Sequence, residues 1–472
     1  MTVPTWQLRA RFAVALAEMY GREVPAYTTL VEVSRLVNAD HVAAHGEAAE
    51  RLGSIDRVTA ERHGAIRVGS PREMGQVARV FAAFGMHPVG FYDLRDASRS
   101  SVPVVSTAFR PVDPAELAKN PFRVFTSLLT TDDRRFFDAP TQRRLEEFIA
   151  ARRLFGDDLL ELADTAAAAG GLPPAEAERL LELATAAFRL SDEPVERDWW
   201  DHLERISSVA ADIGGVGSTH VNHLTPRVLD IDDLYRRMQE RGITMIDEVQ
   251  GPPAWEGPDV LLRQTSFRAL AEGRSFRLAD GSIEPGELRV RFGEVEQRGI
   301  ALTPRGRDLY DAMVAEVDRR RAAPGETRPR TDVARDVWRE RLPVDEHGLA
   351  REGLAFFTFS AVPGVRLERE TYDVGELLDL GALVAEPVVY EDFLPRSAAG
   401  IFQSNLAGEG TRDDEQTGTA WDADRLGQVI GRVVHTPFDL YAAQQDASLE
   451  AAATALGVRI TSSGPVTTPS RR

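Results

Sequence analysis

Residues 287–299 read ELRVRFGEVEQRG. Strict alternation places Leu288, Val290, Phe292 and Glu294 on one face and Arg289, Arg291 and Val295 on the other, which is the period of a β-strand. A carboxylate that continues an apolar face is costly unless it is paired or bound to a metal. Two explanations stand side by side for Glu294. It is a metal ligand, or it is an ordinary residue that pairs with one of the many arginines or sits at a strand end where the pattern fades. Glu296 shares the face and is the alternative ligand.

Upstream, residues 218–231, STHVNHLTPRVLDI, read as a strand, and DIDDLYRRMQERGI (230–243) as a helix with an Asp start and a Gly stop. LLRQTSFRAL and SFRLADGS carry further β patterning between these and residue 287. Residues 303–340 are helical and charged, with a solvated loop at RRRAAPGETRPRTD. Residues 350–395 give two or three strands. Nearer the start, HGAIRVG, MHPVGFYDL and VPVVSTAFRPV are short β-rich runs, PREMGQVARVFAAFG is a helix between the first two, and FRVFTSLL fits a strand. Residues 1–55 form a helical N-terminal segment. Residues 140–206 are a helical insertion, with helices TQRRLEEFIAARRLF and PAEAERLLELATAAFRL flanking the break AAAAGGLPP. The β-rich core is thus split between 60–130 and 215–395 of a single catalytic unit spanning 1–472. A C-terminal segment covers 396–472, with a Ser/Thr/Pro-rich tail expected to fray from 461. No repeat of 20–50 residues is evident. The fold class is α+β, with β-sheet parts interrupted by helical insertions.

Composition narrows the function. The 472 residues carry 56 Lys+Arg against 74 Asp+Glu, a net charge of −18. Such a surface repels phosphate backbones, so nucleic acid is not expected as a partner, while an anionic small molecule held by local arginines remains compatible. No run of eighteen apolar residues suggests a membrane span, and the amphipathic start MTVPTWQLRARFAVALAEMYG does not read as a signal peptide. There are no cysteines, which excludes disulfides, thiolate metal sites, iron–sulfur clusters and a thiol nucleophile. A cytoplasmic location fits. Lys119 is the single lysine, and AELAKNPFRVF offers no phosphate cradle for a Schiff-base cofactor. GGVGSTH lacks the Walker lysine, and no GxSxG elbow is present.

The nine histidines are then weighed for metal chemistry, in which two imidazoles and a carboxylate on one side of an iron leave positions open. His63 and Arg67 are four apart and share a face, so a ligand and a carboxylate-binding guanidinium would lie together. On these residues alone, a surface histidine in the charged loop ERHG is the better explanation of His63. His220 and His223 lie in a run where neither parity is apolar, so alternation does not choose between them. One can be a ligand and the other its hydrogen-bonded neighbour, and two ordinary strand-edge histidines are an equally good reading. His41 and His45 have i, i+4 spacing without the glutamate of HExxH and read as a solvated or capping pair. His87, His202, His347 and His435 stand alone and read as structural.

At this point the residues carry a resemblance. NHLTPRVLDIDDLYRRMQERGI resembles the opening strand and helix of a vicinal-oxygen-chelate module, in which a metal histidine on the first strand precedes a D-[IL]-[DE] turn. FGEVEQRG resembles the closing strand, with Glu294, Gln297 and Arg298 at the spacing also found in 4-hydroxyphenylpyruvate dioxygenases. The pieces HGAIR, FRVFTSLL, HVNHLTPRVLDID, LLRQTSF, RFGEVEQRGIALTPRGRDLYD and EDFLPRSAAGIFQSNL follow in order from roughly residue 60 to 406. Together they resemble the 2-oxoadipate dioxygenase/decarboxylase family of lysine catabolism, formerly a domain of unknown function.

The resemblance implies a central vicinal-oxygen-chelate β-sheet half-barrel with helical decoration. It implies Fe(2+) held by His63, His223 and Glu294, the vicinal-oxygen-chelate pattern choosing His223 over His220. Arg67 would bind the substrate carboxylate, and the segment around Arg396 and Ser397 would close the pocket. The family motif carries valine at the position of Arg396, so the arginine bears on substrate choice. The implied reaction converts 2-oxoadipate and O2 to 2-hydroxyglutarate and CO2. The alternatives are another reaction or another 2-oxo acid on the same metal, and a non-catalytic metabolite-binding protein. Monomer and homo-oligomer are equally compatible with the sequence.

Overall fold

The computed structural model describes residues 2–52, 63–96, 102–394, 412–413 and 415–461. Helices α1 (Thr5–Glu23) and α2 (Pro25–His45) come first. Pro25 opens α2 at a position where its missing N–H costs nothing. Leu8, Phe12, Leu16, Met19 and Tyr20 recur at helical spacing and are buried. The Tyr20 hydroxyl lies 2.9 Å from the carbonyl oxygen of Asn222 and 2.7 Å from that of Phe292, tying the N-terminal helices to the strands that carry the site.

Strand β1 (His63–Val68), helix α3 (Pro71–Ala82) and strands β2 (His87–Asp93), β3 (Val104–Arg110) and β4 (Arg123–Leu129) form a βαβββ module. Its strands lie in the order β2-β3-β4-β1, with β1 and β4 parallel. Helix α3 starts where Ser70 accepts a hydrogen bond from the Glu73 N–H, with Pro71 behind the cap. β1, β3 and β4 are buried along their whole length.

The helical insertion follows as α4 (Ala139–Ala151), α5 (Asp157–Ala169), α6 (Pro174–Ala187), α7 (Arg197–Ile206) and α8 (Ser208–Gly215). The break expected at AAAAGGLPP is narrower than the sequence suggests. Ala166–Ala169 still belong to α5, and the stop is Gly170 in the left-handed conformation at φ +68°.

A second βαβββ module comprises β5 (His223–Thr225), α9 (Ile231–Glu240), an extended run at 244–250, β6 (Leu262–Phe267) and, after the hairpin β7 (Glu272–Arg277) and β8 (Ile283–Leu288), β9 (Gly293–Arg298). Asp230 caps α9 by accepting from the Asp233 N–H at 2.9 Å, and Gly242 ends it at φ +77°. The run 244–250 pairs with β6 antiparallel through Met245–Phe267 and Gln250–Gln264. β6 pairs with β9, and β9 runs beside β5 through the Arg227–Glu296 bridge. The order β5-β9-β6 repeats that of the first module, although no repeat is evident in the sequence. β1 and β5 pair antiparallel and so join the two modules, and no sheet closes into a barrel among the described residues.

Two expectations need correction. The run 287–299 is not one strand: β8 ends at Leu288 and β9 begins at Gly293, in different sheets. Between them Arg291 turns into a buried clasp with Glu272 and Glu23. The strand expected over 218–231 is confined, among the described residues, to His223–Thr225 and the bridge at Arg227, with Pro226, which has no N–H to donate, between them.

Gly293 at the head of β9 is packed without room. A Cβ there would lie 1.9 Å from Phe267 Cε1. Gly293→Ala is expected to destabilise the protein by about 1–3 kcal/mol, the range of core overpacking, read as a lowered urea midpoint at unchanged m-value.

The C-terminal part contributes α10 (Pro304–Arg321), α11 (Arg330–Arg341), the antiparallel pair β10 (Phe357–Ala361) and β11 (Leu383–Pro387), and α12 (Pro437–Leu456). From β11 the chain runs back over the second module: the Ala301 N–H donates to Val388 O at 2.8 Å and the Tyr390 N–H to Gly299 O at 2.9 Å. No helix among the described residues is long and apolar enough to cross a membrane.

Candidate metal centre

His63 opens β1 and His223 opens β5. The antiparallel register pairs His63 with Thr225 and Ala65 with His223, so both imidazoles stand on the same face. Their ring centroids are 5.5 Å apart. Glu294 comes from β9 on the far side of β5. His63 Nε2 lies 3.1 Å from Glu294 Oε1, and His223 Nε2 lies 3.5 Å from Glu294 Oε2. One donor atom from each residue falls within 4.8 Å of the others, and all three side chains are buried. Two imidazole nitrogens and a carboxylate converging in this way are a donor set that a divalent cation can take.

The fourth corner is apolar. In the first module Phe125 of β4 pairs with Ala65. In the second, the Arg227–Glu296 bridge sets Glu294 beside Thr225, the matching position. The counterpart of Glu294 is therefore Phe125, which offers no donor. The Phe393 ring lies 4.9 Å from both Phe125 and His63, and Phe292 lies 4.9 Å from His223, so aromatic rings shield the cluster from water.

A second layer of side chains orients the first. Glu296 Oε2 is 3.0 Å from His63 Nδ1, which leaves Nε2 to face Glu294. Glu296 therefore faces the far nitrogen of His63 and is not among the three residues whose donor atoms converge. Arg298 grips it with two hydrogen bonds of 2.8 and 2.7 Å. The Gln264 amide of β6 donates to Glu294 Oε1. Gln264 does not stand out from the sequence, and Arg298 enters there only by its spacing from Glu294, with no role attached. The signal available was a polar side chain within the β pattern of LLRQTSF, and an arginine on the same strand face as Glu294 and Glu296.

Arg67 lies four residues along β1 from His63. Its guanidinium pairs with Asp212 of α8. Asp212 also lies 3.2 Å from His220 Nε2 and accepts from Asn222 Nδ2 at 3.0 Å. His220 therefore belongs to the set that holds Arg67, not to the metal cluster. His41 and His45 stack on one face of α2 with ring centroids 4.2 Å apart and stand outside the cluster. Arg396 and Ser397 lie outside the described residues, as does the chain beyond Thr461.

The two imidazoles titrate differently. Burial pushes His223 down to about 4, with the charges of His63 and Arg67 adding to it against the pull of Glu294 and Glu296. Burial lowers His63 as well, but Glu296 and Glu294 outweigh it and the net shift is upward. At pH 6.5 His223 is neutral and ready to bind, whereas His63 is more than half protonated in metal-free protein. Metal binding at that pH should release roughly half to one proton per ion. Calorimetric titration in buffers of different ionisation enthalpy checks the number, and release of two would contradict the assignment of the neutral imidazole to His223.

Two joined βαβββ modules and a buried His-His-Glu cluster on their shared face define the class: a protein of vicinal-oxygen-chelate fold with a group of residues that could hold a metal ion. The family model for 2-oxoadipate dioxygenase/decarboxylase matches residues 12–405. The chain belongs to that family. It is 55% identical over 437 residues to the 2-oxoadipate dioxygenase/decarboxylase of Mycobacterium tuberculosis, covering 93% of this chain and 96% of that protein. It is 37% identical over 452 residues to the protein of the same name from Escherichia coli, covering 94% and 97%. The crystal structure of the hydroxyglutarate synthase of Pseudomonas putida in complex with 2-oxoadipate superposes with a TM-score of 0.81 at 37% identity, over 97% of this chain and 99% of that one.

Proposed function

We propose that this chain is an iron(II)-dependent dioxygenase/decarboxylase that converts 2-oxoadipate and O2 to 2-hydroxyglutarate and CO2, with His63, His223 and Glu294 holding the iron. The observation that carries this is the convergence of those three buried donors on one face of a chain whose relatives act on 2-oxoadipate. Iron(II) at this site would supply a common anchor for O2 and for the carboxylate and ketone oxygens of a 2-oxo acid.

The atoms balance without an external reductant. The C1–C2 bond breaks and C1 leaves as CO2. The former ketone carbon becomes a carboxylate carrying one oxygen of O2, and the adjacent carbon takes the other as a hydroxyl.

The protein's own residues supply binding and shielding. A strand rises about 3.3 Å per residue, so the Cα atoms of His63 and Arg67 are about 13 Å apart. A six-carbon diacid anchored at the cluster and an arginine side chain reaching back together fill that span, which favours a dicarboxylate. The guanidinium offers a fork of donors to the distal carboxylate, and Asp212 holds it in place. Glu296 fixes the His63 ring, and Phe125, Phe292 and Phe393 keep bulk water away.

The test is oxygen uptake by iron(II)-loaded protein given 2-oxoadipate, with CO2 and 2-hydroxyglutarate followed together. Consumption of one O2 per CO2 and per 2-hydroxyglutarate is expected. Iron-loaded protein that takes up no oxygen would point to non-oxidative chemistry or another 2-oxo acid.

A further inference from the structure

Arg298 makes contacts that a simple partner of Glu296 would not need. Its Nε and Nη2 hold the two oxygens of Glu296 at 2.8 and 2.7 Å, while Nη1 donates to the carbonyl oxygens of Tyr390 at 3.0 Å and Asp392 at 2.6 Å. Both side chains of the pair are fully buried. Glu296 reaches His63 Nδ1 at 3.0 Å, the Phe393 ring lies 4.9 Å from the His63 ring, and the Arg298 guanidinium lies 5.4 Å from the Phe393 ring. Arg298, Glu296, His63 and Phe393 thus close a ring of contacts around one metal-site histidine.

The run 390–394 is also held from its other side. Asp392 takes two hydrogen bonds from Arg110, at 2.9 and 3.0 Å, and one from the Tyr441 hydroxyl. That hydroxyl accepts from the Glu391 N–H at 2.7 Å, and Glu391 pairs with buried Arg123. Tyr441 lies on α12, so the C-terminal helix touches the same run that Arg298 ties to Glu296.

We propose that Arg298 is a positioning residue that fixes His63, through Glu296, to the run 390–394, so that the metal ligand and the wall beside it form one mechanical unit anchored by Tyr441. This rests on the assignment of His63 as a metal ligand. A carboxylate clamped by two charge-assisted bonds cannot rotate off Nδ1, and a ring held at Nδ1 presents Nε2 in one direction. Lysine at 298 would keep the charge and lose the fork.

The experiment is cobalt(II) titration of the full chain, read by the visible absorption bands of the bound ion, with folding followed by circular dichroism. Arg298→Gln and Glu296→Gln are expected to raise the cobalt dissociation constant roughly 10- to 100-fold and to shift the bands. Arg298→Lys recovers part of the loss. Tyr441→Phe, which touches neither Glu296 nor His63, raises the constant as well. The pair Arg298→Gln/Tyr441→Phe is no weaker than Arg298→Gln alone, because both act through one unit. Folded Arg298→Gln and Glu296→Gln with constants within about twofold of wild type and unshifted bands would overturn the proposal, as would strictly additive effects of Arg298→Gln and Tyr441→Phe. If Arg298→Gln does not fold, Arg298→Lys and Tyr441→Phe decide on the same readout: a raised constant supports the proposal, an unchanged one overturns it. Wild-type protein that takes up no cobalt would sink the ligand assignment itself.

Discussion

Glu294→Ala protein is expected to lose at least about a thousandfold in kcat/KM for 2-oxoadipate, about 4 kcal/mol of transition-state stabilisation, and most of its metal with it. Glu294 is the only carboxylate of the three-residue cluster, and both histidines face it through Nε2. Without it a cation would keep two neutral donors and no compensating charge. The fold should survive, because His63 keeps Glu296 at its other nitrogen and the exchanges of β9 with β6 are made by backbone. Glu294→Gln offers a neutral oxygen donor and should fall between the two. Metal content by elemental analysis and oxygen uptake, on protein of native circular dichroism, decide the matter. A folded Glu294→Ala variant with full metal and turnover would remove the ligand role from Glu294.

Arg67→Met should act on two quantities at once. Loss of the guanidinium removes the proposed contact with the distal carboxylate, and KM for 2-oxoadipate should rise roughly a hundredfold, about 2–3 kcal/mol for charge-assisted bonds. It also strips buried Asp212 of its cation, which should destabilise the protein by about 3–5 kcal/mol. The two effects separate in Arg67→Met/Asp212→Asn, where the charge is removed with its partner: stability returns toward wild type while KM stays high. The acid limb follows the same pair. Burial raises the Asp212 pKa, but His220 and Arg67 outweigh it and hold the group below its ordinary value. The depressed pKa contributes stability that is complete above the ordinary carboxylate range near pH 4 and is lost as pH falls toward the folded value. The wild-type urea midpoint should therefore fall on acidification below about pH 4, and more steeply than that of the double variant.

Helix α9 was legible in full, because an Asp cap, a helical period and a Gly stop are local signals. Glu294 was legible as a carboxylate misplaced on an apolar face, since alternation reports burial residue by residue. The residue types of the cluster and the expectation that Arg67 binds a carboxylate came from the resemblance together with strand parity. The sequence could not say that 287–299 breaks between two sheets, with a clasp of Arg291 on Glu23 between them that closes over 268 positions. Nor could it tell His220 from His223. Their difference lies in what faces them: Asp212 from a helix for one, Glu294 from a neighbouring strand for the other. The repeated βαβββ modules leave no repeat in the sequence because what they share is strand order and pairing, which demand only burial and leave the side chains free to differ. Local pattern determined which segments become strands and helices and which polar groups need a partner. The tertiary structure alone chose the partners, because Arg67 and Asp212 are 145 residues apart and Arg298 and Asp392 are 94, and at such separations a contact leaves no periodic trace in the chain.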